Sequence, residues 1–276
     1  MPQTFAIDTK RIVELKKAHH EERFIDSIRY RNILEKNDFV LSMASDLSVK
    51  QVKLLYAFLS RIENYKEKKP IRMNLNIVLK ILGLTNGGEN RKRLKRDLLD
   101  LRRKSFWVNT LTDKGEIADS AVGFVDKVDV TSTDCIITFS DYMYEQLGAE
   151  GGNYCTPVLG TIIALKSKHM INLYRFLKAE AYKGQTDVSI DELRRITECT
   201  NKFLDHRELT RNVVKRGVDM INAFGDISVS YESYKLAGKT AGYYFFIRKK
   251  TSTEALTANL AAKAQIEGKL ISPLDA

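Results

Sequence analysis

The chain has 276 residues, 43% of them hydrophobic, which is enough for a sizeable core and, on length, for two domains of ordinary size. Its 45 Lys and Arg against 35 Asp and Glu leave a formal charge of +10 and a pI near 9.3, a balance that suits a polyanionic partner and equally suits plain solubility. Cys135, Cys155 and Cys199 are too few and too far apart for a disulfide framework or a zinc site. The first 30 residues, with Lys10, Arg11, Lys16 and Lys17, do not read as a signal peptide, and no apolar run is long enough to span a bilayer. A soluble protein of the reducing cytoplasm, with no membrane partner, is expected.

Residues 1–36 are charge-dense, with Lys16-Lys17 and Glu21-Glu22-Arg23, and their scattered apolar residues mark no clear core face; they are expected to form an arm, helical or partly disordered. From Ser48, a plausible cap, Val52, Leu55, Tyr56 and Leu59 recur at helical spacing. After the polar break at Lys66 to Pro70, Ile71, Met73 and Leu75 alternate as a short strand does. Val78, Leu79 and Leu82 then form a shorter helix ended by Gly83. The turn Asn86-Gly87-Gly88 leads into a third helix, Glu89 to Lys104, with Leu94, Leu98 and Leu101 on one face. Extended runs follow at Phe106 to Leu111, Ser120 to Val130 and Cys135 to Phe139, broken by Asp113-Lys114-Gly115 and by Thr131 to Asp134, so they read as hairpin strands. Helix, strand, helix, helix and hairpin is the winged-helix order, assigned here to residues 37–150. A short helix at Asp141 to Leu147 and the glycine-rich Gly148 to Gly152 lead to a boundary at Pro157.

The second half repeats the first. Leu55-Tyr56-Ala57-Phe58-Leu59 recurs as Leu173-Tyr174-Arg175-Phe176-Leu177, at the same place in its series of elements. A strand around Val188, a helix from Asp191 to Glu198, a long basic helix from Asp205 to Ala223, and strands at Ile227 to Tyr231 and Tyr243 to Arg248 complete the series. The fold class is therefore α+β, two tandem winged-helix domains related by internal duplication, the second at residues 157–250. Residues 251–276, rich in alanine, are read as a weakly packed helix or a tail.

On the long basic helix of the second unit, Leu209, Val213, Gly217, Met220, Ile221 and Phe224 form an inward stripe. Arg207, Arg211 and Lys215, with Glu208, Asn212 and Arg216, form two rows spaced by four on the other side. A helix fits the major groove, where Arg pairs with guanine and Asn with adenine. An ordinary solvated face, with Glu208 pairing Arg211 and Asn212 bonding Arg216, is the other reading. The equivalent helix of the first unit carries Arg91, Lys92, Arg93, Lys95 and Arg96 but no Asn set, which points to phosphate contacts that position more than they specify, or again to a solvated face.

Gly238-Lys239-Thr240 looks like the end of a nucleotide-binding loop, but Ser233 stands where its first glycine belongs and the segment joins strands. Lys239 is read as part of a wing turn near a phosphate or of a plain surface turn. His19, His20, His169 and His206 have no metal-binding spacing. The tyrosines Tyr56, Tyr174, Tyr243 and Tyr244 fall on apolar faces as core or rim residues, unlike a nickase nucleophile. No catalytic residue, metal or cofactor is predicted, and the chain is expected not to be an enzyme.

Leu165-Lys166-Ser167-Lys168-His169-Met170-Ile171-Asn172-Leu173-Tyr174 resembles the LKSK…LY signature of the initiators of iteron-containing plasmids. Ser189 to Arg194, and Val213 to Asn222 with Asp226-Ile227, are similar to that family's next segments. The resemblance covers roughly residues 37–250. It implies a protein that binds tandem origin repeats in duplex DNA as a monomer and represses its own gene as a homodimer, with a host replication initiator and a replicative helicase as partners. It also implies that the second domain reads bases while the first contacts backbone and carries much of the dimer interface. Carried over, Arg207, Arg211, Asn212, Lys215 and Arg216 are the base-reading and adjacent phosphate-contacting set. The chain departs from the family at Met220, where Glu is usual, at Thr210, where a basic residue is common, and at Gly217, where Ala is usual and Gly should cost about 1 kcal/mol of helix stability. A winged-helix transcriptional regulator without a replication role, and an origin-nicking enzyme, remain as alternatives.

Overall fold

The computed structural model describes residues 9–36, 46–111, 115–147 and 154–268; the expected turn at Asp113-Lys114, the loop Gly148 to Gly152 and the last residues of the tail lie outside them. The first helix, α1 (Thr9–Arg29), is not a free arm at its end. Ile25 and Ile28, one turn apart, are buried, and so is Ile33 beyond them, a core face too short to stand out among the charges of the sequence. Arg29 is buried as well, donating to the carbonyls of Lys80 (2.5 Å) and Ile81 (3.3 Å). A two-residue strand, β1 (Glu35–Lys36), follows.

Helix α2 (Val49–Leu59) begins at a capping box in which Ser48 Oγ accepts from the Gln51 amide and Gln51 Oε1 from the Ser48 amide. The expected stripe is buried, and Leu54, Ala57 and Phe58 are buried too, because the helix has neighbours on both sides. After β2 (Ile71–Asn74) come α3 (Leu75–Ile81), capped by Asn74, and α4 (Gly88–Arg103), in which Leu94, Leu98 and Leu101 are the buried residues. Four strands follow: β3 (Ser105–Leu111), β4 (Ile117–Gly123), β5 (Val125–Val130) and β6 (Asp134–Phe139). The run expected as one strand from Ser120 to Val130 is thus two strands in two sheets. Phe124 breaks it: its side chain is fully buried against Phe106, ring centroids 4.5 Å apart, and its carbonyl accepts from the Ser140 amide. The β3–β4 hairpin is consequently an addition to the winged helix, with Trp107 and Ile117 exposed. The wing is β5–β6, in a sheet of order β2-β6-β5.

Helix α5 (Asp141–Gln146) is capped by Ser140, and β7 (Tyr154–Cys155) pairs antiparallel with β1. Next comes α6 (Leu159–Ala164), a buried helix where the sequence reading assigned no element; its six residues, all buried, show no polar face to mark it. The second unit then repeats the first: α7 (Lys168–Glu180), β8 (Gln185–Ser189), α8 (Ile190–Ile196), a long helix at 206–224 named α9, and the strands β9 (Ile227–Leu236) and β10 (Lys239–Lys249). Its sheet has the order β8-β10-β9, the counterpart of β2-β6-β5. Helix α10 (Ser252–Ile266), opened by a capping box of Thr251 and Glu254, packs on α6 and α9 through Ala258 and Ala262 and is not a loose tail.

Buried residues of both units form one continuous cluster. A polar node lies within it. The Glu35 carboxylate accepts from Tyr56 Oη (2.8 Å) and from Arg175 Nε (3.2 Å) and Nη2 (3.0 Å), with Glu35 0% and Arg175 1% exposed. Glu35 comes from the lead segment, Tyr56 from α2 and Arg175 from α7, so the node ties the two units together. The duplicated tyrosine Tyr174 donates instead to Asp226 (2.7 Å), which also pairs with Lys178 (2.7 Å). The end of α10 reaches the first unit: Lys263 pairs with Glu22 (2.7 Å) and Asp26 (2.6 Å), Arg29 with Glu267 (3.1 Å), and Ile266 lies over Gly83 where a Cβ would stand 2.2 Å from its carbonyl oxygen. Among the described residues no helix is long and apolar enough to cross a membrane.

Candidate nucleic-acid interface

Helix α9 is built in three parts: an α-helical turn His206–Leu209, a π-helical stretch Thr210–Lys215, and an α-helix Arg216–Phe224. Asp205 caps it by accepting from the Arg207 amide (2.8 Å). Thr210 marks the change of winding, its hydroxyl donating to the His206 carbonyl (2.8 Å) and lying 2.6 Å from Tyr243 Oη. A stretch bonded five residues apart carries one more residue per turn than rows spaced by four assume. Val214 and Val218 are buried beside the expected inward stripe, all of whose members are buried, because the helix packs against both α7 and α10. Gly217 belongs there for packing: a Cβ would stand 2.7 Å from Leu173 Cδ2. Its helix-propensity cost is offset by this close approach, which Ala would not allow without moving Leu173.

Arg207, Arg211 and Lys215 are exposed, and their side chains have no hydrogen bond or ion pair with another described residue. Arg216 is also exposed. The Glu208 to Arg211 and Asn212 to Arg216 pairs of a self-satisfied solvated face are not formed. Asn212 leaves the exposed row and turns, half-buried, into a cavity that it lines with Arg216, Lys166, Ser167 and His169. Lys166, Ser167 and His169 were not singled out from sequence as contact residues, although the LKSK segment contains them.

The wing of the second unit, β9–β10, turns at Ala237 and Gly238, both in the left-handed region (φ 49° and 79°), as a two-residue hairpin turn requires. Lys239 is exposed at the start of β10, opposite Leu236, in a strand-to-strand turn and not at the head of a helix. Tyr234 and Tyr244 lie together on the wing, ring centroids 4.9 Å apart, over Gly242, where a Cβ would meet the Tyr234 hydroxyl at 2.4 Å.

In the first unit the basic set on α4 divides. Arg91 is held in place by Asn86 Oδ1 (2.7 Å) and the Ser132 carbonyl (3.2 Å), and Arg93 by Glu89 (3.1 Å). Lys92, Lys95 and Arg96 are exposed and have no hydrogen-bond or ion-pair partner among the described residues. Unpaired exposed cations in this number on one helix suit a polyanion and keep their full charge available to it.

The family model described as "Initiator Replication protein, WH1" matches residues 32–178, and the one described as "Initiator Rep protein, WH2" matches residues 189–247. No curated protein sequence matches the chain significantly. Among solved structures, the Pi initiator protein in complex with iteron DNA is similar at a TM-score of 0.64 and 15% identity, covering 81% of this chain and 99% of that one. Domains 2 and 3 of RctB are similar at a TM-score of 0.51 and 11% identity, covering 74% of this chain and 83% of that one. At these identities the likeness is one of fold.

Proposed function

Because the chain belongs to the family of initiator replication proteins with two winged-helix domains, we propose that it starts plasmid replication by binding repeated origin sequences in duplex DNA. In this reading the second domain, from about residue 157, presents Arg207, Arg211 and Lys215 to base edges and adjacent phosphates, with Asn212 and Arg216 beside them and Lys239 on the wing. The first domain holds backbone through Lys92, Lys95 and Arg96, with Arg91 and Arg93 in supporting positions. The observation that carries the proposal is the unpaired state of the exposed cations on α9, in the fold of a protein whose solved structure contains iteron DNA. Strand opening then comes from binding and bending, without nucleotide hydrolysis. Repression of its own gene as a homodimer, contacts with a host initiator and a replicative helicase, and residence in the cytoplasm complete the proposal.

The test is a footprint on the DNA that flanks the gene, followed by transfer of the protected segment to a replicon that cannot otherwise be maintained. Protection of tandem repeats about two helical turns apart, together with maintenance that depends on the protein, is the expected result. Protection of a single operator without maintenance would make the protein a repressor only, and metal-dependent cleavage of the supercoiled origin would make it a nickase.

A further inference from the structure

The cavity between the start of α7 and the π stretch of α9 has a volume of about 220 Å³, room for a tetrahedral oxyanion with water, given that a water takes about 30 Å³. Its polar wall is short of acceptors. Ser167, the residue before α7, has an extended backbone (φ −137°, ψ 155°) but makes no capping bond, and its buried Oγ has no hydrogen-bond partner in the structure. The first amides of α7 therefore lack the acceptor that a capping serine ordinarily supplies. Across the cavity, Asn212 and Arg216 have no hydrogen bond or ion pair with another described residue. None of the lining residues is a carboxylate. His169, also in the wall, is held down to about 4 by burial and by the charges of Lys202 and Arg216, so it is neutral at physiological pH in a positive field. A helix start without a cap acceptor and a guanidinium lining one space favour an oxyanion over a cation or a neutral ligand.

We propose that this cavity seats one phosphate: the first amides of α7, and Ser167 Oγ once it turns out of its buried position, donate to its oxygens from one side, and Arg216 and Asn212 hold it from the other. The phosphate is a phosphodiester of the bound duplex, and the seat fixes the depth and angle at which α9 lies against the DNA. This inference rests on the DNA-binding reading above and adds to it a backbone contact from the LKSK segment, outside the helix and wing. In it Asn212 and Arg216 position the protein and leave base reading to Arg207, Arg211 and Lys215.

Ser167→Asp tests it by placing a carboxylate in the seat. In the full-length chain it should keep or raise the melting temperature, because Asp caps a helix well and faces Arg216. Affinity for a random-sequence duplex should fall about tenfold or more, and the slope of log affinity against log salt should shrink by about one. Ser167→Ala should lose affinity a few-fold. Arg216→Gln, on the opposite wall, should also reduce the slope by about one and gives the answer if Ser167→Asp melts early. Inorganic phosphate in place of chloride at equal ionic strength should raise the melting temperature of the wild type but not of Ser167→Asp.

Wild-type duplex binding with unchanged affinity and slope in Ser167→Asp and Arg216→Gln overturns the seat and leaves the initiator reading intact. A Ser167-dependent response to inorganic phosphate with duplex binding indifferent to both variants overturns the assignment to DNA in favour of a free anion. Absence of any duplex binding by the wild type overturns both.

Discussion

Glu35→Ala removes the carboxylate from the node where the lead segment, α2 and α7 meet, and its cost can be worked from the contacts. Arg175 is 1% exposed and loses two charge-assisted bonds, at 3.2 and 3.0 Å, while Tyr56 loses its acceptor at 2.8 Å. A buried ion pair broken from one side costs about 3–5 kcal/mol, because the remaining charge stays desolvated. An orphaned buried hydroxyl adds about 1 kcal/mol. The expected loss is therefore about 4–6 kcal/mol, a large share of the stability of a domain. Replacing Arg175 by Met as well removes the stranded charge, so the double variant should be more stable than Glu35→Ala alone, and Glu35→Gln should fall between Glu35→Ala and the wild type. Urea unfolding followed by circular dichroism measures these four proteins and the Arg175→Met single variant. A cost below about 1 kcal/mol for Glu35→Ala, or a double variant whose cost is the sum of the singles, would refute the reasoning, since independent sites add and a shared pair does not.

Three further outcomes are expected. Arg211→Ala should cost about 1–3 kcal/mol at the cognate repeat and relax one base position, whereas Arg96→Ala should weaken cognate and random DNA alike and lower the salt slope by about one; binding titrations at several salt concentrations would expose the reverse pattern. Burial holds the Lys53 ammonium, which donates to the Ile163 carbonyl (2.6 Å), down to about 8 from 10.5. The unfolded chain thus binds the extra proton between those values, stability gains from this group as pH rises through that window, and the penalty is fully present below it. Lys53→Met should accordingly be more stable than wild type by about 1–2 kcal/mol near neutrality, with the gap closing toward pH 10.5; urea midpoints at the two pH values check it. Gly217→Ala should destabilise by about 1 kcal/mol, the overlap with Leu173 outweighing the gain in helix propensity, and a raised melting temperature would count against the packing argument.

Local signals carried the fold where they were complete. Ser48, and Gly83 with its φ of 73°, mark helix ends that spacing and capping chemistry also mark in the sequence. The duplicated Leu-Tyr-x-Phe-Leu segment located corresponding helices. What stayed hidden depends on partners far along the chain. Helix α6 has no polar face to give it a period, and Phe124 ends a strand only because Phe106 and Ser140 receive it. The basic residues of the interface were legible as residues, but their arrangement was not. A spacing rule assumes regular winding, and in the π stretch from Thr210, tied to Tyr243 on β10, Asn212 lines the cavity and does not stay in the exposed row. On α4 the i, i+4 spacing of Glu89 and Arg93 is readable in the order of charges, but nothing there shows that Arg91 is engaged by Asn86 and by the distant Ser132 carbonyl.

The grip of α10 on α1 and α3 has a consequence for synthesis. A ribosome delivers α1, α2 and the whole first unit long before residues 252–267, yet Glu22, Asp26, Arg29 and Gly83 take part of their contacts from Lys263, Ile266 and Glu267. The unit made first is therefore completed last. Until α10 emerges the entry helix lacks three ion pairs and a packing neighbour, while the second unit already holds its own sheet and helices. A nascent chain stalled just after β10 should thus be cut by protease within α1 and spared in α7, and arrival of the final helix should close that window.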